Sequence, residues 1–347
     1  MGAGIREMAL LTCFSWCCET SRKTGQEGTF EVNSNSVLNV KVEGGGTQVV
    51  AHAGLHSLGR FADRVGLPAA LSTAIKWSGE RAPLHDRGKV LTHAMLMLAA
   101  GGEACSDIEF LGVQDRLFGD VCSDTTLYRT IRAITPSVLG DLREAAATVR
   151  QQMWSRMSAT TGTAMVVMDI DASLVQVHSE NKQGCGPNYK GGFGFGPMFC
   201  FADGTGEALA AVLRPGNAGA NAVVDHLLLL DQAIGQLAAP VSCGHHVGDD
   251  PAVVRRSVQV RTDSAGCSTG FVFGCRARNV GFAVVARTNA SIHTAISRIH
   301  PTTPDKRWQP ARRRTGDPAQ RSEVAEITDL VDLSGWREGT RMIVRRE

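Results

Sequence analysis

The sequence predicts an α/β protein in which an all-helical segment precedes a mixed β-sheet with flanking helices. Three observations support this prediction. The spacing of apolar residues changes from helical to extended after Ala159, glycine and β-branched residues become more frequent there, and the later predicted strands are separated by helices. A chain of 347 residues accommodates two or three domains of about 100 to 200 residues each. The domain boundaries that we expect are 1–39 for a disordered or wrongly started extension, 40–158 for the helical domain, 159–300 for the sheet domain and 301–347 for a β-rich segment.

The composition excludes several classes of protein. Hydrophobic residues make up 43% of the chain and charged residues 20%, which is typical of soluble globular proteins rather than disordered or collagen-like chains. No stretch approaches the roughly 20 apolar residues of a membrane-spanning helix, so we expect no membrane partner. The net charge of +2 identifies no partner, which must be inferred from local sites. Ten cysteines without a CxxC pair predict reduced thiols.

The helical segment extends from His52 to about Met157, where apolar residues recur at spacings of three and four. Within it, Ser123 is suited to cap a helix that carries Thr, Tyr and Arg side chains on its exposed side. Such a helix suits DNA recognition, with Arg129 and Arg132 near phosphates. An ordinary amphipathic helix with a solvated basic face explains the pattern equally well, so both interpretations stay open here.

The sheet domain has a characteristic order of predicted elements. Three strands are followed by a helix, a strand, a helix, a strand and a helix, which is typical of a ribonuclease H-like α/β fold. In that fold the first and fourth strands are neighbours. The predicted strands are Ala164–Val177, Pro197–Ala202, Ala208–Leu213, Val258–Thr262 and Phe282–Ala286. The predicted helices are Asn221–Leu237, Ser268–Ala277 and Ser291–Ile299.

Acidic residues lie within the first predicted strand and directly after the fourth. Asp169 and Asp171 lie two residues apart and therefore share one face of the sheet. Desolvation penalises an ionised carboxylate on a central strand unless a cation or hydrogen-bond donors accompany it. Asp263 follows the fourth strand, so Asp171 and Asp263 are expected to converge on Mg²⁺ or Mn²⁺, which prefer oxygen ligands. Either residue alone is more simply a cap or turn residue, but the pair favours a metal site.

Three other patterns have weaker support. The glycine-rich run Lys190–Gly196 lacks the GK[ST] sequence and the following helix of a phosphate-binding loop, so we expect a turn. Cys243, His245 and His246 lack the second half of a zinc ligand pair. The sequence from Asp169 resembles the first motif of haloacid dehalogenase-type phosphatases, which would make Asp169 a nucleophile. That fold needs a helix directly after the motif, whereas a hairpin is predicted here.

Four ordered motifs carry a more specific resemblance. The sequence resembles the DDE-type insertion-sequence transposases grouped as transposase DDE domain group 1, through the runs Asp169–Leu174, Tyr189–Pro197, Leu213–Gly219 and Arg261–Gly266. The resemblance covers roughly Val40 to Glu347. The runs Ser123–Thr126 and Asp332–Trp336 extend the match at both ends.

The resemblance implies a bacterial enzyme that cuts double-stranded DNA at terminal inverted repeats and joins the freed 3′-hydroxyl to a target. Family members use a two-metal site built from two Asp and one Glu. Asp171 matches the first acidic ligand and Asp263 the second, with Asp169 in reserve for the first position. The resemblance also implies a homo-oligomer acting on paired DNA ends, located in the bacterial cytoplasm in association with the nucleoid.

Further DNA contacts follow from the same resemblance. Lys190, Arg214 and Asn217 lie in family motifs and are expected to contact DNA, although Arg214 also suits a turn.

The third acidic residue of the family has no match in this chain. In the family it lies on a helix after a β-rich insertion, and the chain ends at Glu347 within that segment. Glu323, Glu326 and Glu338 are present, but the surroundings of Glu326 resemble the insertion rather than the catalytic helix. We therefore expect a C-terminally truncated transposase with little cleavage activity. The alternative function is a non-catalytic DNA-binding remnant, which would occupy inverted repeats and repress intact copies.

Overall fold

The computed structural model describes residues 53–75, 83–157, 165–299, 307–312 and 317–346. The expected extension at 1–39 lies outside these residues. Helices form the first part: α1 (Ala53–Arg64), α2 (Leu67–Ala74), α3 (Arg87–Ala99), α4 (Glu109–Gly112), α5 (Asp115–Phe118), α6 (Asp124–Arg132) and α7 (Pro136–Met157). The later helices are α8 (Val223–Ile234), α9 (Ala239–Ser242), α10 (Thr269–Arg276) and α11 (Ala290–Ser297), and short 3-10 helices occur at Cys105–Ile108, Pro251–Val253 and Thr328–Leu330.

Strands follow the helical part. They are β1 (Met165–Ala172), β2 (Val175–Val177), β3 (Gly186–Pro187), β4 (Phe193–Phe195), β5 (Met198–Ala202), β6 (Ala208–Val212), β7 (Ser257–Thr262), β8 (Gly281–Val284), β9 (Gln309–Arg312), β10 (Pro318–Glu326) and β11 (Ile343–Arg346). The main sheet has the order β6-β5-β1-β7-β8. Strand β1 is antiparallel to β5 and parallel to β7. The expectation that the first and fourth predicted strands are neighbours is therefore confirmed.

The run Ala164–Val177, expected to be one strand, is divided between two sheets. After β1 ends, the backbone N–H of Ser173 donates to the carbonyl oxygen of Pro197 at 2.9 Å. The chain then continues as β2, which pairs with β4 in a small sheet of order β2-β4-β3. No helix occurs between β1 and β6 in the described residues, which also disagrees with the strand–helix alternation of the phosphatase alternative.

The main sheet is buried on one face. Met168 of β1 and Val260 of β7 are fully buried, and they pack in one cluster with Leu229 and Leu230 of α8 and Phe271 of α10. Alternate residues of the same strands point to the opposite, more open face because strand side chains alternate. The polar residues of β1 and β7 thus belong to the open face.

The helical part packs directly on the edge of the main sheet. The indole Nε1 of Trp154, near the end of α7, donates to the Glu207 carboxylate at 2.7 Å. Arg150, one turn earlier, donates to the carbonyl oxygen of Ala208 in β6 at 3.2 Å. The side-chain amide of Gln236 returns a bond to the carbonyl oxygen of Arg143 at 3.1 Å. Helix α7 is therefore bonded both to the start of β6 and to the segment after α8.

The last strands form a separate antiparallel sheet of order β11-β10-β9. Ala325 and Ile327, at the end of β10, are buried against Ile292 and Ala295 of α11.

Within the described ranges, no helix combines the length and the apolar character that crossing a membrane requires. The cysteines that the structure describes are all free thiols.

The helical core contains a buried histidine that makes stability depend on pH. His93 in α3 is 5% exposed, and burial, with a smaller contribution from Lys89, lowers the pKa of its imidazole from 6.5 to about 4. The unfolded chain therefore binds more protons than the folded chain between these two pH values. The free energy of unfolding consequently falls as the pH falls from about 6.5 to about 4.

We expect His93→Gln to remove this part of the pH dependence. Between pH 7 and pH 4 the wild-type protein should lose up to about 3 kcal/mol more free energy of unfolding than the variant, since one pKa unit corresponds to about 1.4 kcal/mol. Urea unfolding across this pH range measures the difference. His178→Gln, which changes an exposed histidine, is the matched control. Equal pH dependence of the wild-type protein and His93→Gln would contradict the prediction.

Candidate active site

The register of β1 and β7 sets the predicted acidic residues at the ends of two adjacent strands. In this parallel pairing Asp169 lies opposite Arg261 and Ile170 opposite Thr262. The same register, continued by one residue past the end of the pairing, brings Asp171 beside Asp263. Both carboxylates are exposed, at the carboxyl ends of two adjacent central strands.

Local hydrogen bonds fix both acidic side chains. Oδ1 of Asp171 accepts from the backbone N–H of Ala172 at 2.8 Å. Oδ1 of Asp263 accepts from the backbone N–H of Ala265 at 2.9 Å, within a tight turn after β7. The turn requires glycine at Gly266, because a Cβ atom there would lie 2.1 Å from Oγ1 of Thr262. The turn thereby holds Asp263 close to the end of its strand.

The chemistry of the pair suits a hard divalent cation. Both ligands are carboxylates, and one oxygen of each is held by a backbone N–H, which leaves the other for a cation. Mg²⁺ is commonly bound through one or two carboxylates while it keeps several waters. No cluster of three or more His, Cys, Asp or Glu with the geometry for a metal ion occurs among the residues that the structure describes. The pair can therefore supply two protein ligands to a metal.

Asp169 has a different environment from Asp171. The guanidinium of Arg261 donates to both of its carboxylate oxygens, at 2.5 and 2.6 Å, and also to Asp203 at 2.8 Å. These bonds, chiefly those with Asp169, raise the pKa of Arg261 above its ordinary value. Because Arg261 occupies both oxygens of Asp169, this geometry favours Asp171 as the first ligand.

Arg261 and Asp203 are site residues that the sequence analysis missed. A signal for Arg261 was present, because it lies two residues before Asp263 and therefore shares its face. Asp203 follows β5 in a turn and carries no comparable signal, because its approach to Arg261 depends on the packing of three strands.

The predicted DNA-contact residues of α6 lie on its exposed side. The hydroxyl of Ser123 caps the helix, as expected, by accepting from the backbone N–H of Thr126 at 3.3 Å. Arg129 and Arg132 are exposed, and Arg132 donates to the hydroxyl of Tyr128 at 3.2 Å. The helix thus presents two guanidinium groups and one aromatic ring to solvent.

Lys190 and Asn217 occupy two neighbouring loops. Lys190 is exposed in the turn between β3 and β4, and its Nζ lies 5.9 Å from the centre of the exposed Tyr189 ring. Asn217 is exposed, but its Oδ1 lies 2.7 Å from the position that a Cβ atom would take at Gly186. Lys190 is therefore available to a phosphate group, whereas the Asn217 side chain packs against the small sheet.

Arg214, also expected to contact DNA, is buried. Only 6% of the residue is exposed. Its guanidinium donates to the carbonyl oxygens of Gly196 and Gly219, at 2.9 and 3.2 Å, and pairs with Asp225 of α8 at 3.2 Å. Arg214 therefore joins the loops to α8, which agrees with the alternative structural interpretation of this motif.

The histidine and cysteine pattern has a structural explanation. His245 is fully buried, and its Nδ1 and Nε2 lie 3.1 and 2.9 Å from the carbonyl oxygens of Arg278 and Arg256. The Cys243 thiol contacts the carbonyl oxygen of Val253. Both side chains are thus engaged by the backbone rather than arranged around a metal.

The glutamates of the last sheet are paired with arginines. Arg346 binds Glu323 at 2.6 Å, and Arg341 binds both oxygens of Glu326. The hydrogen bond from Arg341 lowers the pKa of Glu326 to about 2. Glu338 is exposed in the loop before β11. None of these three residues lies on a strand of the main sheet.

Comparison with known proteins identifies the family of the chain. A family model for the transposase DDE domain, group 1, matches residues 32–347. No curated protein matches the chain. The family match includes β1 and β7 with both acidic residues, together with the described helices. Since the match extends over most of the sequence, the chain belongs to the transposase DDE domain group 1 family.

Proposed function

We propose that this chain is an insertion-sequence transposase that uses Asp171 and Asp263 as metal ligands for DNA cleavage and strand transfer at element ends. The observation that supports the proposal is the parallel register of β1 and β7, because Asp171 and Asp263 come one residue after its last pair, Ile170 and Thr262. The proposed reaction class rests on membership of the DDE family.

The two aspartates share the task of binding the metal ions in this proposal. Asp171 and Asp263 bind Mg²⁺ or Mn²⁺ from adjacent strands, each with one oxygen already oriented by a backbone N–H. The bound ions would activate the attacking water or hydroxyl and stabilise the leaving oxygen at phosphorus. The turn around Gly266 holds one oxygen of Asp263 through the backbone N–H of Ala265. A rigid arrangement matters because small displacements of reacting groups slow an in-line displacement strongly.

The helical part is proposed to be an all-helical DNA-binding domain. Arg129 and Arg132 on α6 would contact phosphates of the terminal inverted repeat, with Tyr128 beside them. Lys190 would contact DNA nearer the catalytic sheet. We also propose that the protein works as a homo-oligomer on paired DNA ends in the bacterial cytoplasm, associated with the nucleoid, as the family implies.

Full cleavage activity is expected to need a third carboxylate. No group of three or more potential metal ligands occurs among the described residues, whereas the DDE family uses three carboxylates. We therefore propose that residues 1–347 alone bind metal and DNA but cleave little. A non-catalytic DNA-binding role, as a repressor that occupies inverted repeats, is the second candidate, and the exposed arginines of α6 favour it.

We expect Asp171→Asn and Asp263→Asn each to weaken Mn²⁺ binding at least tenfold. The reason is that each variant removes one of two anionic ligands, and a neutral amide is a poorer partner for a divalent cation. Isothermal titration calorimetry with MnCl₂ and purified protein measures the affinity. Asp141→Asn, which changes an exposed aspartate on α7, is the matched control and should bind Mn²⁺ as the wild-type protein does. Unchanged binding in both site variants would contradict the proposed metal site.

Cleavage provides a second test of the same residues. We expect purified 1–347 to nick its own terminal inverted repeat only weakly in Mg²⁺. The reason is that the proposed site has two carboxylates, whereas the family uses three. An efficient Mg²⁺-dependent nick that is lost in Asp263→Asn would contradict the expected low activity while supporting the proposed role of Asp263. The readout is end-labelled DNA separated on a denaturing gel.

We expect the double variant Arg129→Ala/Arg132→Ala to bind inverted-repeat DNA more weakly and with less dependence on salt. Each lost phosphate contact should reduce the slope of log K against log salt concentration by about 0.9. Fluorescence anisotropy at several salt concentrations measures this slope. Arg60→Ala/Arg64→Ala removes two exposed arginines of α1 at a similar spacing and is the control. An unchanged slope in the α6 variant would remove α6 from the DNA interface.

A further inference from the structure

A triad of charged residues crosses the open face of the main sheet. Arg261 of β7 binds both carboxylate oxygens of Asp169 on β1, and the same Nη2 atom binds Asp203 after β5 at 2.8 Å. The backbone N–H of Asp203 donates to the carbonyl oxygen of Val167 at 3.0 Å, which fixes the turn beside β1. One guanidinium therefore connects three adjacent strands.

The triad lies next to the proposed metal ligands on the same face. Asp169 precedes Asp171 by two residues and Arg261 precedes Asp263 by two, so each pair is separated by about 7 Å along its strand. Asp203 lies opposite Val167, about 13 Å along the strand from Asp171. Asp169 is thus near enough to Asp171 to share its cation, whereas Asp203 is too far away.

Without a partner, Asp169 would compete for the cation. It has the same charge and the same ligand atoms as Asp171, and it points to the same side of the sheet. Arg261 removes this competition because its planar guanidinium engages both oxygens of one carboxylate at once. A lysine has no such two-pronged geometry and would bind as a point charge.

We propose that Arg261 is a positioning residue that withholds Asp169 from the metal site and so makes Asp171 the ligand that faces Asp263. This inference rests on the proposed function of the Asp171–Asp263 pair. It assigns Asp169 a structural task, as the anchor of Arg261, and it gives a physical reason why two equivalent aspartates on one strand face have different roles.

The test is Mn²⁺ binding, measured by calorimetry with MnCl₂ as the only added ligand. Arg261→Met frees Asp169, and we expect Mn²⁺ to bind about fivefold more tightly, or with an additional ion, because a second anion lies about 7 Å from the site. Asp169→Asn should weaken Mn²⁺ binding by no more than about fivefold, because it removes one charge at that distance but no ligand. The double variant Arg261→Met/Asp169→Asn should return to the wild-type value, because no competing carboxylate remains within reach.

Arg287→Met is the matched control for loss of positive charge. Arg287 is exposed beyond the end of β8 and contacts Ser264 rather than a carboxylate. Loss of a bulk positive charge alone would tighten Mn²⁺ binding equally in Arg261→Met and Arg287→Met. Equal tightening in these two variants would overturn the proposal, as would tightening that persists in the double variant.

The remaining outcomes separate this inference from the proposed function. If Asp263→Asn leaves Mn²⁺ binding unchanged, the metal site itself is wrong. If Asp263→Asn weakens binding but Asp169→Asn weakens it equally, the metal site stands and the positioning role of Arg261 is wrong. Circular dichroism checks that each variant is folded. Should Arg261→Met not fold, the Asp169→Asn result alone decides, because the proposal requires that Asp169 is not a ligand.

Discussion

The parallel pairing of β1 with β7 is the constraint on which the candidate active site depends. Side chains alternate between the two faces of a strand, so a shift of one residue would turn Asp263 and Arg261 to the opposite face. The buried face opposes such a shift, because Met168 and Val260 are fully buried in the same cluster as α8 and α10. The polar chemistry of the open face is therefore fixed by apolar packing on the other face.

Arg261 and the turn after β7 add polar constraints to this packing. On the open face of the sheet, Arg261 of β7 donates hydrogen bonds to Asp169 of β1 and to Asp203 in the turn after β5. The Asp169–Arg261 pair is about 40% exposed, with values of 36% and 45% for the two side chains, so its contribution to global stability is small. Its geometry matters more than its energy, because the planar guanidinium determines which carboxylate remains free.

Much of the main sheet could be predicted from the sequence, but the different environments of Asp169 and Asp171 could not. Periodicity and turn residues located the strands of the main sheet and the helices after it, and the strand order led to the correct adjacency of β1 and β7. Alternation placed Asp169 and Asp171 on one face but could not separate them, because the difference lies in a partner 92 residues away. The burial of Arg214 could not be predicted either, since the sequence does not reveal that this residue pairs with Asp225 of α8. The division of the first predicted strand between two sheets also depends on long-range pairing rather than on local pattern.

The distance along the chain between β1 and β7 has a consequence for how the molecule folds. Successive helices such as α2 and α3 join residues near each other in sequence, although α2 also packs against α7. The proposed metal site needs the closure of a segment of 92 residues and parallel strand pairing. Closure of long loops and parallel pairing are slow steps in folding. Neighbouring helices can therefore form early, while the ends of β1 and β7 become adjacent only when these two strands pair. During that interval the edge of β1 that later pairs with β7 is unpaired, which favours aggregation through this strand.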